Sequence, residues 1–119
     1  MHLLSLGLVA LVASLHVVFL IIEMFLWDHP FGRKRFGMTP EKSAATRALA
    51  ANQGLYNGFL AAGLAWALWT DRLDLKLFFL GCVLIAGVYG GITTKRSILY
   101  LQALPAAVAL AAVWGATLT

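Results

Sequence analysis

The sequence predicts an all-α membrane protein, a four-transmembrane-helix up-down bundle with both termini on the non-cytoplasmic side. Three observations carry that reading. The chain of 119 residues is 61% hydrophobic and only 12% charged, about half the charge of a soluble domain. Its apolar residues fall into four runs, each close to the roughly 20 residues that a span requires. Its basic residues are unevenly shared between the connections. Arg33, Lys34, Arg35, Lys42, Arg47, Lys95 and Arg96 lie in or beside the first and third connections, and only Arg72 and Lys76 flank the second. The positive-inside rule then places connections one and three in the cytoplasm.

The first run, residues 3–27, lacks the basic start and short apolar core of a cleaved leader, since no Lys or Arg precedes Arg33. It reads as a retained helix. Residues 28–46 form the first cytoplasmic loop, broken by Pro30, Gly32, Gly37 and Pro40. Within it Thr39-Pro40-Glu41 is a helix-start signal, with a capping Thr, a Pro suited to the first helical position and an acid on the positive end of the dipole. A helix from there to Trp69 is about 46 Å long at 1.5 Å per residue. That exceeds a hydrocarbon core of about 30 Å, so the span proper is residues 47–69 and the first turns project from it. The third and fourth spans are residues 75–94 and 98–118, with Lys76 placed to snorkel and Pro105 to kink the last helix. The four spans fill one integral membrane domain, residues 1–119, expected in the inner (plasma) membrane. Trp27, Trp66, Trp69 and Trp114 fall near span ends, as interfacial aromatics do.

The net charge of +4 is spread over loops between apolar runs and carries no nucleic-acid signal. A single cysteine, Cys82, excludes an intrachain disulfide and a CxxC pair; it reads as a small apolar residue. Phosphate-binding, dinucleotide-binding, zinc-protease and serine-hydrolase motifs are absent.

What stands out is polarity inside the runs. Glu23, Asn52, Gln53, Tyr56, Asn57, Tyr89, Tyr100 and Gln102 all fall in the cytoplasmic half, so the four helices can share one polar layer. His16 lies about 10 Å from Glu23 along the first helix. Seven residues is nearly two turns, so the two share a face and form a candidate proton-relay pair. Two such groups are too few for a metal site. Glu23 can reach water, or pair with Arg47. Along the second helix Asn52, Gln53 and Tyr56 lie on one side and Gly54, Gly58, Ala61 and Ala65 on another. Small residues four apart let helices approach closely; Gly87 and Gly91 repeat the pattern in the third. Each polar residue also has a purely structural reading, as an interhelical hydrogen-bonding group worth about 0.6 kcal/mol.

Four blocks together resemble a known family. They are Glu23-Met24-Phe25-x-Trp27, the run Asn52-Gln53-Gly54-x-Tyr56-Asn57-Gly58-Phe59-Leu60-Ala61-Ala62-Gly63, Ala86-Gly87-x-Tyr89-Gly90, and Gln102-x-x-Pro105-Ala106. Over essentially its full length the chain is similar to the small integral membrane proteins grouped as domain of unknown function 1304. A looser likeness, in length, topology and long second helix, is to the membrane-associated proteins of eicosanoid and glutathione metabolism, the MAPEG superfamily. Arg47-Ala48 followed by Asn52 resembles the Arg-Ala-x-x-Asn start of that superfamily's second helix, with one residue more between Arg and Asn and with Leu55 where an acid is expected. This likeness implies a homo-oligomer, a trimer, and a glutathione site near the cytoplasmic face.

Three functions stay open on the sequence. One is a binding or enzymatic site for a small amphiphile or thiol, held by Arg47, Asn52, Gln53, Tyr56, Asn57, Tyr89 and Gln102, with Glu23 or Tyr89 as candidate catalytic residues in proton transfer. Another is a structural or accessory membrane protein whose polar layer specifies assembly. The last is a small transporter or channel subunit using His16 and Glu23.

Overall fold

A computed structural model describes residues 1–119, all of them helical or in short connections. The helices are α1 (His2–Phe25), α2 (Pro30–Phe36), α3 (Pro40–Thr70), α4 (Leu73–Thr93) and α5 (Leu104–Thr117), with a π-helical turn, Leu99–Ala103, leading into α5. Three stretches are long and apolar enough to cross a membrane: α1, α4 and Leu99–Thr117. The longest helix, α3, is not among them, because its N-terminal half carries Glu41, Lys42, Arg47, Asn52, Gln53 and Asn57. Large apolar side chains cover the outside, Trp69 at 91% exposure and Leu3 at 83% among them. A surface of this kind is at home in lipid and unusual in water.

The chain divides into two compact units. One comprises Met1–Ser14 with Ala62–Thr119, and the other Leu15–Ala61.

In the first unit α4 packs on the π turn and on α5. The buried residues are Val9, Val12, Leu64, Ala67, Leu80, Val83, Ala103, Ala106, Ala109, Ala112 and Val113. The alanines recur every third residue, so α5 presents a shallow face that its neighbours can approach. Gly87 sits where a Cβ would lie 2.5 Å from the Ala103 backbone nitrogen, and Gly91 where it would lie 2.3 Å from Leu99 Cγ. The two glycines expected to pack helix on helix therefore do so. The break expected at Pro105 takes the form of a widened turn, in which the Leu104 N–H reaches back to the Leu99 carbonyl. Pro105 has no N–H and its ring crowds the carbonyl four residues back. A π turn relieves that crowding just before the proline.

The turn between α3 and α4 corrects one expectation. Lys76 does not snorkel outward: it is buried and its ammonium donates to Asp71 Oδ1. Asp71 occupies the left-handed region at φ 50°, which Asp tolerates better than most residues. His2 Nε2 stands 3.6 Å from its other oxygen. The hydrogen bond from Lys76, and then its charge, hold the Asp71 carboxyl below the usual carboxylate range. Next to it Arg72 and Asp74 form an exposed fork, at 3.1 and 2.7 Å.

In the second unit the 28–46 connection is more ordered than the sequence suggested. Pro30 opens α2, the His29 side chain accepts the Phe31 N–H, and Gly37 at φ 61° closes it. Gly32 is buried where a Cβ would fall 2.0 Å from the Leu26 carbonyl oxygen. Thr39 Oγ1 accepts the Lys42 N–H at 3.1 Å, so α3 begins at the capping signal read from the sequence.

Two outcomes follow from these geometries. Gly87→Ala forces a methyl against backbone that cannot rotate away, and should lower stability in detergent by about 1–3 kcal/mol; an unchanged melting temperature would show that α4 and the π turn are not in contact. Asp71 is depressed in the folded state, so its contribution is present above its unfolded value of about 3.9 and is lost as pH falls through the lower folded value. Melting temperature should accordingly fall on acidification below about pH 4, and Asp71→Asn should remove that part of the acid limb.

Candidate functional site

The candidate site lies in the second unit, where the last two turns of α1 meet the first half of α3. Gly54 and Gly58 make the approach possible. A Cβ on Gly54 would lie 2.7 Å from Met24 Cγ and 3.2 Å from the Leu20 carbonyl oxygen, and one on Gly58 would lie 2.6 Å from Leu20 Cδ1. Asn57 stands on this same face, three residues from one glycine and next to the other. It is 5% exposed, and its amide donates to Glu23 Oε1. Neither Arg47 nor any other Lys or Arg forms an ion pair with Glu23; the ion pairs join Asp71 to His2 and to Lys76, Asp28 to Arg33, and Asp74 to Arg72. The pairing of Glu23 with Arg47 that the sequence allowed is thus replaced by a pairing with Asn57.

The seam continues toward the end of α1. The Trp27 indole N–H donates to Thr46 Oγ1 at 2.9 Å. Ser43, fully buried, donates to Asp28 Oδ1 at 2.6 Å. Arg33 Nε approaches the same oxygen at 3.5 Å. Beside these bonds is a cleft of about 130 Å³ lined by Met24, Phe25, Trp27, Asp28 and Arg47. Arg47 is exposed and pairs with no carboxylate in the chain. The accessible lining of this cleft is mostly polar, and its charged groups are the Asp28 carboxylate and one available guanidinium, that of Arg47. That combination suits a small anionic group, with Phe25 exposed beside it.

The other residues singled out in the sequence divide as follows. Asn52, Gln53 and Tyr56 are exposed on α3, Tyr56 with its ring edge-on to Phe59 at 5.6 Å; they are not part of the Glu23–Asn57 contact. His16 is fully buried, its ring edge-on to Phe19 at 5.1 Å. Tyr89, 69% exposed, and Gln102, partly buried on the π turn, belong to the other unit. Trp27, Asp28, Ser43 and Thr46 were missed as site-forming residues. The available signal was their register: a polar-capable pair at the end of α1 and two hydroxyls three residues apart at the start of α3, on the line that continues through Ala50, Gly54 and Asn57.

The model of the family described as protein of unknown function (DUF1304) matches residues 10–114, most of the chain. The chain belongs to this family. Among curated proteins it is similar to the uncharacterized protein YpaA of Lactococcus lactis subsp. lactis (strain IL1403), 27% identical over 106 residues, covering 86% of this chain and 89% of that one. No solved structure matches. The matched region takes in both Glu23 and Asn57, together with the whole of α3 and α4.

The Glu23–Asn57 bond makes a definite demand on stability. Asn57→Ala leaves a half-buried carboxyl without its donor and should cost about 1–3 kcal/mol. Replacing both residues by Leu removes the demand as well as the bond, and should cost less than the single change. Detergent melts of the two single variants and the double variant measure the coupling; strictly additive effects would show that the pair does not act as one.

Proposed function

We propose that this DUF1304 protein is a multi-pass membrane protein in which α1, α3, α4 and Leu99–Thr117 cross the bilayer as an up-down bundle. The first and third connections face the cytoplasm and the second unit holds a site for a small amphiphile with an anionic end. The reading rests on one observation: an unpaired arginine, Arg47, in a small, mostly polar cleft that it shares with Met24, Phe25, Trp27 and Asp28. The acid or thiolate end of the ligand would take the guanidinium, for which a carboxylate is the natural bidentate partner. Its chain would lie outside the cleft, over the exposed Phe25. Glu23, four residues before Trp27, is the candidate for any proton transfer, with Asp28 the carboxylate in the cleft itself.

Glutathione, which the MAPEG likeness implies, does not fit the residues present. It carries two carboxylates, and the cleft offers one cation beside Asp28, itself an acid. About 130 Å³ is also below the ~300 Å³ at which pockets for ligands of that size begin. A single carboxylate head on a medium-length chain suits the one cation better, the head taking the cleft and the chain remaining outside it.

A second reading is favoured by a separate observation. Asn52, Gln53 and Tyr56 are exposed along α3, and another copy of the chain, in the trimer that the MAPEG likeness suggests, would cover them. Cysteine substitutions at Gln53 and Tyr56 that crosslink between copies in native membranes would support assembly there.

The ligand reading is tested by thermal stability of the purified protein. Decanoate should raise the melting temperature by several degrees and decanol should not, and Arg47→Gln should abolish the difference. Equal effects of acid and alcohol would refute an anion-selective cleft. Topology is tested separately: a fluorescent protein that matures only in the cytoplasm should stay dark when fused to the C-terminus.

A further inference from the structure

The basic stretch after α1 is built with more order than a topology signal requires. Such a signal needs only positive charge near a span end, in any conformation. Here the charges stand on a fastened scaffold. His29 caps α2 at one end and Gly37 at the other, where the Met38 N–H bonds the Arg33 carbonyl at 2.9 Å. Gly32 is pressed against the carbonyls of Leu26 and Trp27. The Phe36 ring stacks on Trp27, centroids 4.9 Å apart, and the Arg35 guanidinium lies over Phe36 at 5.5 Å.

This scaffold sorts the three cations. Arg33 turns inward: its Nη2 donates to the Asp28 carbonyl at 3.4 Å and its Nε approaches the Asp28 carboxylate. Lys34 and Arg35 stay exposed and pair with no carboxylate. Phe31 is half exposed on the same short helix. The cation–π contact restrains the Arg35 side chain, so less freedom is lost when an oxyanion binds its exposed guanidinium. Over residues 28–47 the chain carries Arg33, Lys34, Arg35, Lys42 and Arg47 against Asp28 and Glu41, and Asp28 is already occupied by Arg33. The local field is therefore positive with no internal counterion at α2.

We infer that α2 is a docking surface for the phosphate of an anionic phospholipid, with Arg35 as the anchor, Lys34 as the second donor and Phe31 reaching into the headgroup layer. Phosphate accepts two parallel N–H donors from a guanidinium, and basic segments beside a span gain about 1 kcal/mol per cation from an anionic leaflet. The inference rests on the proposal that α1 ends at a membrane surface. It is independent of the cleft ligand, because it uses Lys34 and Arg35 and leaves Arg47 aside.

Native mass spectrometry of the chain, purified in a neutral detergent and exposed to equal amounts of phosphatidylglycerol and phosphatidylcholine, tests it. The wild type should retain phosphatidylglycerol several-fold over phosphatidylcholine. The Lys34→Gln, Arg35→Gln double variant, checked for unchanged helicity, should retain the two lipids equally. A Lys95→Gln, Arg96→Gln variant, with the same loss of charge in the third connection, should keep the preference. Equal retention by the wild type overturns the inference, as does an equal loss in both variants, which would mark net charge alone. Loss of the preference in millimolar inorganic phosphate would assign the surface to a free anion and overturn the lipid assignment. If the C-terminal reporter fluoresces while the lipid preference and its dependence on Lys34 and Arg35 hold, the topology fails and the docking surface stands.

Discussion

The hydrogen bond from Asn57 to Glu23 is the constraint on which the second unit depends. An amide and a carboxyl facing each other between two apolar helices lose water on both sides, and each then needs the other. They can meet only if the helices approach closely, and Gly54 and Gly58 supply that approach on the side of α3 while Leu20 and Met24 fill it from α1. The register set there continues down the seam. Ala50 is buried next, then Thr46 receives the Trp27 indole and Ser43 reaches Asp28. The cleft is what remains where the seam opens, between the last turn of α1 and Arg47.

Much of the fold was legible because helix chemistry is local. Thr39-Pro40-Glu41 marks the start of α3 through a cap and a proline that act within one turn, and Gly87 and Gly91 declare a packing face by spacing alone. The site was legible in its members and less so in its pairings. Arg47 is closest to Glu23 in chemistry, but a partner is chosen by the register between two helices, which one-dimensional spacing does not encode. Dividing α3 into a polar side and a small side hid Asn57, a polar residue standing on the small side. The order of α2 was missed for another reason. Pro30, Gly32 and Gly37 read as breakers, yet each occupies the one position where a short helix uses it: first residue, closest approach and left-handed cap.

The first unit solves a different problem by the same means. A proline in an apolar helix leaves a carbonyl without its donor, and lipid offers no water to take its place. The π turn at Leu99–Ala103 absorbs the misfit, and the glycines of α4 let that widened turn seat against them. The buried Lys76 is likewise paired with Asp71, the first residue beyond α3. Glu23 in one unit and Lys76 in the other are thus matched within the chain, by a glycine-permitted approach in one case and a tight turn in the other.

Depth then separates the two readings of α3. If Trp69 and Thr70 mark one edge of the hydrocarbon, a core of about 30 Å ends some 20 residues earlier at 1.5 Å per residue, beside Asn52 and Gln53. These two side chains would lie at headgroup level, where water satisfies them and no second copy is required. Arg47 would lie one turn and a half further out, at the height where an anionic head meets the surface. Of the three amides of α3, Asn57 would stand inside the hydrocarbon, where it donates to Glu23. On this account the exposed polar band needs no oligomer to explain it. Arg47, by contrast, has no partner within the chain, which is why the proposed ligand is placed there.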